Sequence, residues 1–310
     1  MKVIALLPVK NEAWVLRHCL CSLSFCDEIL AIDDGSSDTT RSILEEYACT
    51  ILPFQTDTKI GWSEFAIRTH LLLAARERGA THIVALDGDE MFSDSFVRDA
   101  RALLCGLKPG QNLSLPWVDI MDDTSAVTPI LSKVFGSADD GRTVFPTGFI
   151  HIPRVPDTGQ NKRLSLPYAV LHFQYLNTRR QQYKKIWYMM SELEKGTRNA
   201  LRINITYNKK HRSGSFDYRT LTTSLLPDEK SDTIFWHRDK VLSKLAEKGC
   251  PYFEKLDMWQ TEELQQIFRT KTGREPKPLR PPTWIYWLND LKNIPGQWLY
   301  LKLTYLKRFL

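Results

Sequence analysis

The chain has 310 residues, 43% apolar and 25% charged, with a formal net charge of +6. That balance belongs to a folded globular protein and excludes a disordered or collagen-like chain. The mild basic excess suits an anionic ligand, a nucleic acid or an acidic membrane surface, and does not choose among them. Six cysteines, Cys19, Cys21, Cys26, Cys49, Cys105 and Cys250, include no C-x-x-C pair and no zinc-finger spacing. They read as reduced thiols in a reducing compartment. No apolar stretch approaches the ~20 residues of a membrane-spanning helix. "MKVIALLPVKNE" is too short an apolar run for a signal peptide. The expected location is the cytoplasm.

In chain order, "KVIALLPV" is an unbroken apolar run closed by a proline and predicts a buried strand. "EAWVLRHCLCSL" has helical spacing. "EILAIDDGSSDTT" is a second strand ending in acids and a Gly-Ser turn, with Asp38 placed to cap the next helix, "TTRSILEEYA". "CTILPF" reads as a third strand, Ser63 to Gly79 as a helix stopped by its glycine, and "THIVALD" as a fourth strand. Strands apolar on both faces and alternating with helices predict a parallel sheet covered on both sides. From Leu113 the pattern changes to short strand-like pieces, "LSLPWVDI", "SKVF", "TVFPTGFIHI" and "YAVLHF", then a basic helix from Thr178 to Gly196. The expected domains are 1–212, an α/β body, and 213–310, a helical extension.

Ligands of parallel sheets sit at the carboxyl ends of the strands. Three such ends are polar here: Lys10-Asn11-Glu12, Asp33-Asp34, and Asp87-Gly88-Asp89-Glu90. Two aspartates one residue apart can share a divalent cation, and the glycine between them allows a tight turn. A metal would also relieve the repulsion that raises the pKa of neighbouring carboxylates. The bland alternative makes Asp89 and Glu90 a helix cap for "SDSFVRDARALL". It explains one acid and not the pair with Asp87.

These three segments, in this order and spacing, resemble the N-terminal half of family 2 glycosyltransferases, which have the GT-A fold. The similarity is strong over Lys2 to Val97 and weaker to about Leu193. It implies an α/β GT-A fold with a mixed, mostly parallel central sheet and a helical C-terminal extension. It implies that Pro8, Asn11 and Glu12, with Asp33 or Asp34, hold the base and ribose of a nucleotide-diphospho sugar, UDP-linked by expectation. Asp87 and Gly88 would meet the pyrophosphate, with Arg68 near the phosphates. Asp87, Asp89 and the late His172 would bind Mn²⁺ or Mg²⁺. The metal would act as Lewis acid on the leaving diphosphate, helped by Arg68 or by Arg179, Arg180, Lys184 or Lys185.

An inverting transfer also needs a general base at the acceptor hydroxyl. Where many members of the family place an acid after a histidine, this chain has Ile152 after His151. The candidates are Asp122, Asp123 and Asp157, with Asp119 as a further alternative. The resemblance implies transfer to a saccharide or lipid-linked acceptor in the synthesis of a surface polysaccharide. Pro295 to Leu310, if helical, sets Leu299, Leu303, Leu306 and Leu310 on one side and basic residues on the other. Such a tail can lie on a membrane or pack on the protein. The competing readings are a GT-A-like scaffold that has lost its base, or a nucleotidyltransferase. The latter wants a glycine-rich phosphate loop that "PVKNEAW" lacks, and no G-x-G-x-x-G supports a dehydrogenase. Nucleic acid is not an expected partner, because aromatics interleave with charge only near Tyr183 to Tyr188.

Overall fold

The computed structural model describes residues 1–55, 63–121, 126–127, 132–148, 151–196, 199–207, 215–223 and 236–276. The chain forms two compact units. One is Met1–Thr178 with Ser213–Ile234; the other is Arg179–Arg212 with Phe235–Leu310. The break therefore falls at 178 and not at 212, and a short segment after 212 returns to the first unit.

The first unit holds β1 (Val3–Val9), α1 (Leu16–Ser22), β2 (Glu28–Asp33), α2 (Thr40–Glu46), β3 (Thr50–Ile51), α3 (Glu64–Glu77), β4 (His82–Ala85), β5 (Glu90–Phe92) and α4 (Asp94–Cys105). It continues with β6 (Asn112–Asp119), β7 (Ala126–Val127), β8 (Ser132–Ala138), β9 (Asn161–Arg163) and β10 (Val170–His172). The sheet order is β3-β2-β1-β4-β8-β6-β10-β5, with β9 paired to β6. β1, β2, β3 and β4 are parallel. β8 runs against both β4 and β6. This restores β6 and β10 to the direction of β1. The carboxyl ends of β1, β2, β4, β6 and β10 thus share one edge.

The apolar runs follow from this layering. Val3, Ala5, Leu7 and Val9 pack with Leu16 and Leu20 of α1 and Phe96 and Ala100 of α4. The alternate residues Ile4 and Leu6 pack on Ile67, Leu71 and Ala75 of α3. A strand covered on both faces has no polar face to show. Helix α3 starts as expected, with the Ser63 side chain accepting from the Ala66 amide, and Gly79 follows its end at φ +74°. Two expectations change. The strand read in "CTILPF" is only Thr50–Ile51. No strand forms from "TVFPTGFIHI" among its described residues. Phe145 and Ile152 instead fill the α3 face of the core as irregular chain.

The second unit contains α5 (Thr178–Glu194, joined to the first unit at its first residue), α6 (Ala200–Tyr207), α7 (Trp236–Lys248), α8 (Cys250–Glu254) and α9 (Glu262–Thr272). The short strand β11 (Ser215–Phe216) pairs with β7 in the first unit. Tyr183, Ile186 and Met189 of α5 are buried with Val241, Leu245, Phe253 and Phe268. That shared core is the physical reason α5 separates from the sheet. The basic residues Arg179, Arg180, Lys184 and Lys185 belong to this unit. The tail from 277 onward, including the amphipathic segment 295–310, lies outside the described residues.

Glu263, in the first turn of α9, gathers Arg238, the Tyr183 hydroxyl and Arg179. The Arg238 pairing lowers its pKa to about 2. A lowered carboxylate stabilises the fold above its unfolded pKa, and the benefit is lost as pH falls. Because about a quarter of the side chain is exposed (26%), Glu263→Gln should cost only about 1 kcal/mol at neutral pH. The expected drop in thermal midpoint is about 2 °C. The gap to wild type should close as pH falls from about 4.5 toward 2. A gap independent of pH would assign the loss to packing.

All six cysteines are unpaired. Among the described residues no helix is long and apolar enough to cross a membrane.

Candidate active site

The ends of β1 and β2 form one hydrogen-bonded wall. Asn11 sits at φ +53°, a conformation that asparagine tolerates better than most residues. Its side-chain oxygen accepts from the Ser37 amide at 2.7 Å, and its own amide donates to Ser36 Oγ at 2.9 Å. The Glu12 amide donates to Thr40 Oγ1, and the Asp38 carboxylate accepts from the Ala13 and Thr40 amides. Asp33 accepts from the Ser36 amide at 2.9 Å, and Lys10 reaches the Asp34 backbone and carboxylate at 2.6 and 3.1 Å. Asp33 and Asp34 stay half-buried at the edge. Asn11 and Glu12 are buried, 2% and 8% exposed, so they brace the wall from behind.

The acidic turn after β4 packs on that brace. A Cβ on Gly88 would meet Glu12 Cγ at 2.8 Å and Val9 Cγ1 at 3.1 Å, so only glycine lets the turn approach. Asp87 turns to two arginines: Arg68 Nη2 at 2.8 Å and Arg154 Nη2 at 2.9 Å. Burial pushes its pKa up, but Arg154 and Arg68 outweigh this and hold the carboxyl well below the usual range. Arg68 is itself buried and held by Glu64 at 2.6 Å, one helical turn earlier on α3. Arg154 also forks onto Glu90, which is fully buried and accepts from Trp117 Nε1 at 2.7 Å and from the Asp87 amide. The result is one network, Glu64, Arg68, Asp87, Arg154, Glu90 and Trp117, spanning α3, β4, β5, β6 and the loop before β9.

Asp89 goes elsewhere. Its carboxylate lies 3.8 Å from His172 Nε2, and both side chains are almost wholly buried. His172 Nδ1 lies 2.7 Å from Asp119 Oδ1. A carboxylate can only accept, so Nδ1 donates and Nε2 is turned toward Asp89. The 3.8 Å gap is too long for a hydrogen bond. Two ligand atoms each about 2.1 Å from a divalent cation stand roughly 3 to 4 Å apart. A metal-binding histidine usually has its far nitrogen held by a carboxylate in this way. The pair therefore fits a divalent cation. Among the described residues no three His, Cys, Asp or Glu side chains converge as a cage.

The expected metal set of Asp87, Asp89 and His172 is corrected accordingly. Asp89 and His172 come together, while Asp87 is drawn off by its guanidinium partners. Arg68 is a buried brace for Asp87, and its Nη1 has no hydrogen-bond partner among the described residues. Pro8 is a half-buried member of β1, beside Ile32 of β2. Asp157 is not placed to be a base. Its neighbours Pro156 and Thr158 bond Asn112 at the amino end of β6, roughly 23 Å of strand from Asp119. Asp157 Oδ1 accepts from the Gly159 amide of its own turn. Asp119 serves His172. Ile152 is buried on α3, its amide donating to Glu64, so its apolar character is a packing requirement. Asp122 and Asp123 lie outside the described residues. The helix-cap reading of Asp89 and Glu90 fails, because Glu90 opens β5 and Ser93 precedes α4.

Arg154, Trp117 and Glu90 were missed as site residues. One signal was available: three acids in four residues demand cations, and Arg68 alone is too few.

Residues 5–109 match the family described as Glycosyl transferase family 2. That segment, about a third of the chain, is what is similar to the family. The matched segment includes Asp33, Asp34, Asp87 and Asp89 and stops after α4, so Asp119, Arg154 and His172 lie beyond it. The curved, mostly parallel sheet between helices is that of the GT-A fold. Among solved structures, TarS of S. aureus (residues 1–349) in complex with UDP is 22% identical, with TM-score 0.31, over 38% of this chain and 36% of that one. The same protein with UDP-GlcNAc is 16% identical, with TM-score 0.38, over 56% and 58%. Glucosyl-3-phosphoglycerate synthase from Mycobacterium tuberculosis, with Mn²⁺, UDP and glucosyl-3-phosphoglycerate, is 18% identical, with TM-score 0.24, over 29% and 34%. The chain thus spans less than two thirds of each of these three structures. At such scores the chemistry of its site rests on its own residues. No curated protein matches the chain.

Proposed function

We propose that this protein is a metal-dependent, inverting glycosyltransferase that moves a sugar from a UDP-linked donor to a saccharide or lipid-linked acceptor in surface-polysaccharide synthesis. The observation that carries the reading is the Asp89–His172 pair, 3.8 Å apart, with Asp119 holding the imidazole. Asp33 and Asp34, at the open edge of the β1–β2 wall, hold the donor's base and ribose. Asp89 and His172 hold Mn²⁺ or Mg²⁺, which when bound supplies Lewis-acid stabilisation of the leaving diphosphate. Arg68 and Arg154 keep Asp87 ionised and fixed, so the acidic turn does not rearrange when a ligand arrives. The base that takes the acceptor's proton is assigned to Asp122 or Asp123.

Thermal unfolding with Mn²⁺ and a panel of nucleoside diphosphates tests this. A nucleotide at ~100 times its Kd adds about 2.7 kcal/mol to stability. The expected result is an upward shift with UDP that requires the metal. No shift with any nucleotide, in folded protein, would overturn the reading in favour of a scaffold.

A further inference from the structure

Lys133 stands near the start of β8. Because β8 runs against β6, Lys133 lies opposite Leu115, toward the functional edge of the sheet. Its ammonium sits over the Trp117 indole, 2.9 Å from the ring centroid. His172 stacks on the same indole, 4.4 Å between centroids and 25° from parallel. One ring therefore separates the ammonium from the Asp89–His172 pair.

An ammonium has three donors and no acceptor. Among the described residues, Lys133 Nζ has no hydrogen-bond acceptor and no ion-pair partner; its contact is the indole face. The nearby carboxylates are taken. Glu90 is held by Arg154 and Trp117, Asp87 by Arg68 and Arg154, and Asp119 by His172. Burial and the Arg154 guanidinium bring the Lys133 pKa down to about 8, the mark of a charge short of partners. A half-buried, unpaired cation at a ligand edge calls for an anion that brings its own oxygen atoms.

Position identifies which part of the substrate carries that anion. In the order β2-β1-β4-β8-β6, the nucleoside wall is at β2 and β1 and the acidic turn follows β4. Lys133 is on β8, on the far side of that turn, three strand spacings or about 14 Å from β2. A donor laid from β2 to the acidic turn leaves Lys133 to the other reactant. We propose that Lys133 is a specificity-determining residue that binds an anionic group, phosphate or carboxylate, on the acceptor. This rests on the glycosyltransferase reading above.

The test titrates methyl phosphate and glucuronate, by calorimetry, into protein loaded with Mg²⁺ and UDP. Wild type, Lys133→Met and Lys133→Arg are compared, with melting curves to confirm folding. Lys133→Gln replaces the Met variant if that does not fold. The tighter probe in wild type distinguishes a phosphate-bearing from a carboxylate-bearing acceptor. Lys133→Met should weaken that probe at least tenfold and leave UDP affinity unchanged, while Lys133→Arg should stay within about threefold of wild type. Equal anion binding in wild type and Lys133→Met would overturn the proposal, reducing the ammonium to a packing partner of Trp117. A matching loss of UDP affinity would also overturn it, placing Lys133 on the donor diphosphate. If UDP does not bind wild type at all, the glycosyltransferase reading fails separately, and the titrations on ligand-free protein still decide whether Lys133 holds an anion.

Discussion

Replacing Arg154 with methionine is expected to cost about 3 kcal/mol of stability. Removing one partner of a buried ion pair typically costs about 3–5 kcal/mol, because the other charge is left without compensation. Two carboxylates lose a partner here, and they do not lose equally. Glu90 is 0% exposed, whereas Asp87 keeps 32% of its side chain in solvent and retains Arg68. Glu90 therefore dominates the cost, and the lower end of the range applies. The expected fall in thermal midpoint is about 6–10 °C. Urea unfolding followed by circular dichroism measures it. The sign with pH is fixed by Asp87. Its folded pKa lies below its unfolded value, so the pairing stabilises above about pH 4 and the benefit fades as pH falls. The deficit of Arg154→Met should shrink on acidification, and Glu90→Gln in the same chain should recover part of it at neutral pH. A loss under about 1 kcal/mol would show that Glu90 finds another partner, and the network drawn here would be wrong.

The second large effect concerns the cation. Asp89→Asn and His172→Gln should each abolish the metal-dependent part of the UDP shift, since each removes one of the two side chains that face the gap among the described residues. Asp119→Asn should behave differently. Loss of an outer-shell carboxylate typically weakens metal affinity about 10–100-fold and leaves the site assembled. Mn²⁺ titration followed by electron paramagnetic resonance measures free and bound metal directly, without an acceptor. If Asp119→Asn lost transfer while Mn²⁺ affinity stayed at the wild-type value, Asp119 would be the base and not the support of His172.

Much of this arrangement was legible in single residues and their spacing. β1, β2 and β4 read as unbroken apolar runs because α1 and α4 cover one face and α3 the other, which leaves no face for polar residues. The acids at their ends stood out for the same reason: charge has no place on such a strand except where the strand leaves the core. Gly88 between two aspartates and Ser63 before α3 are local requirements, met within a few residues of chain. His172 was reachable only through the family resemblance.

What tertiary structure decided was the pairing of charges. Arg154 meets Glu90 and Asp87 across 64 and 67 residues of sequence, from irregular chain with no periodic signal. Its arrival, with Arg68, draws Asp87 into ion pairs and away from the expected metal set. The reversed strand β8 sets Lys133 over Trp117, and the register of β6 against β10 aligns Asp119 with His172. It also carries Asp157 to the wrong end of β6. The same holds for the boundary at 178, drawn by helices that share a core with α5. Local spacing determines which residues can form a strand or a turn. Which carboxylate is taken up by a guanidinium depends on partners brought from afar, and only the folded sheet selects them.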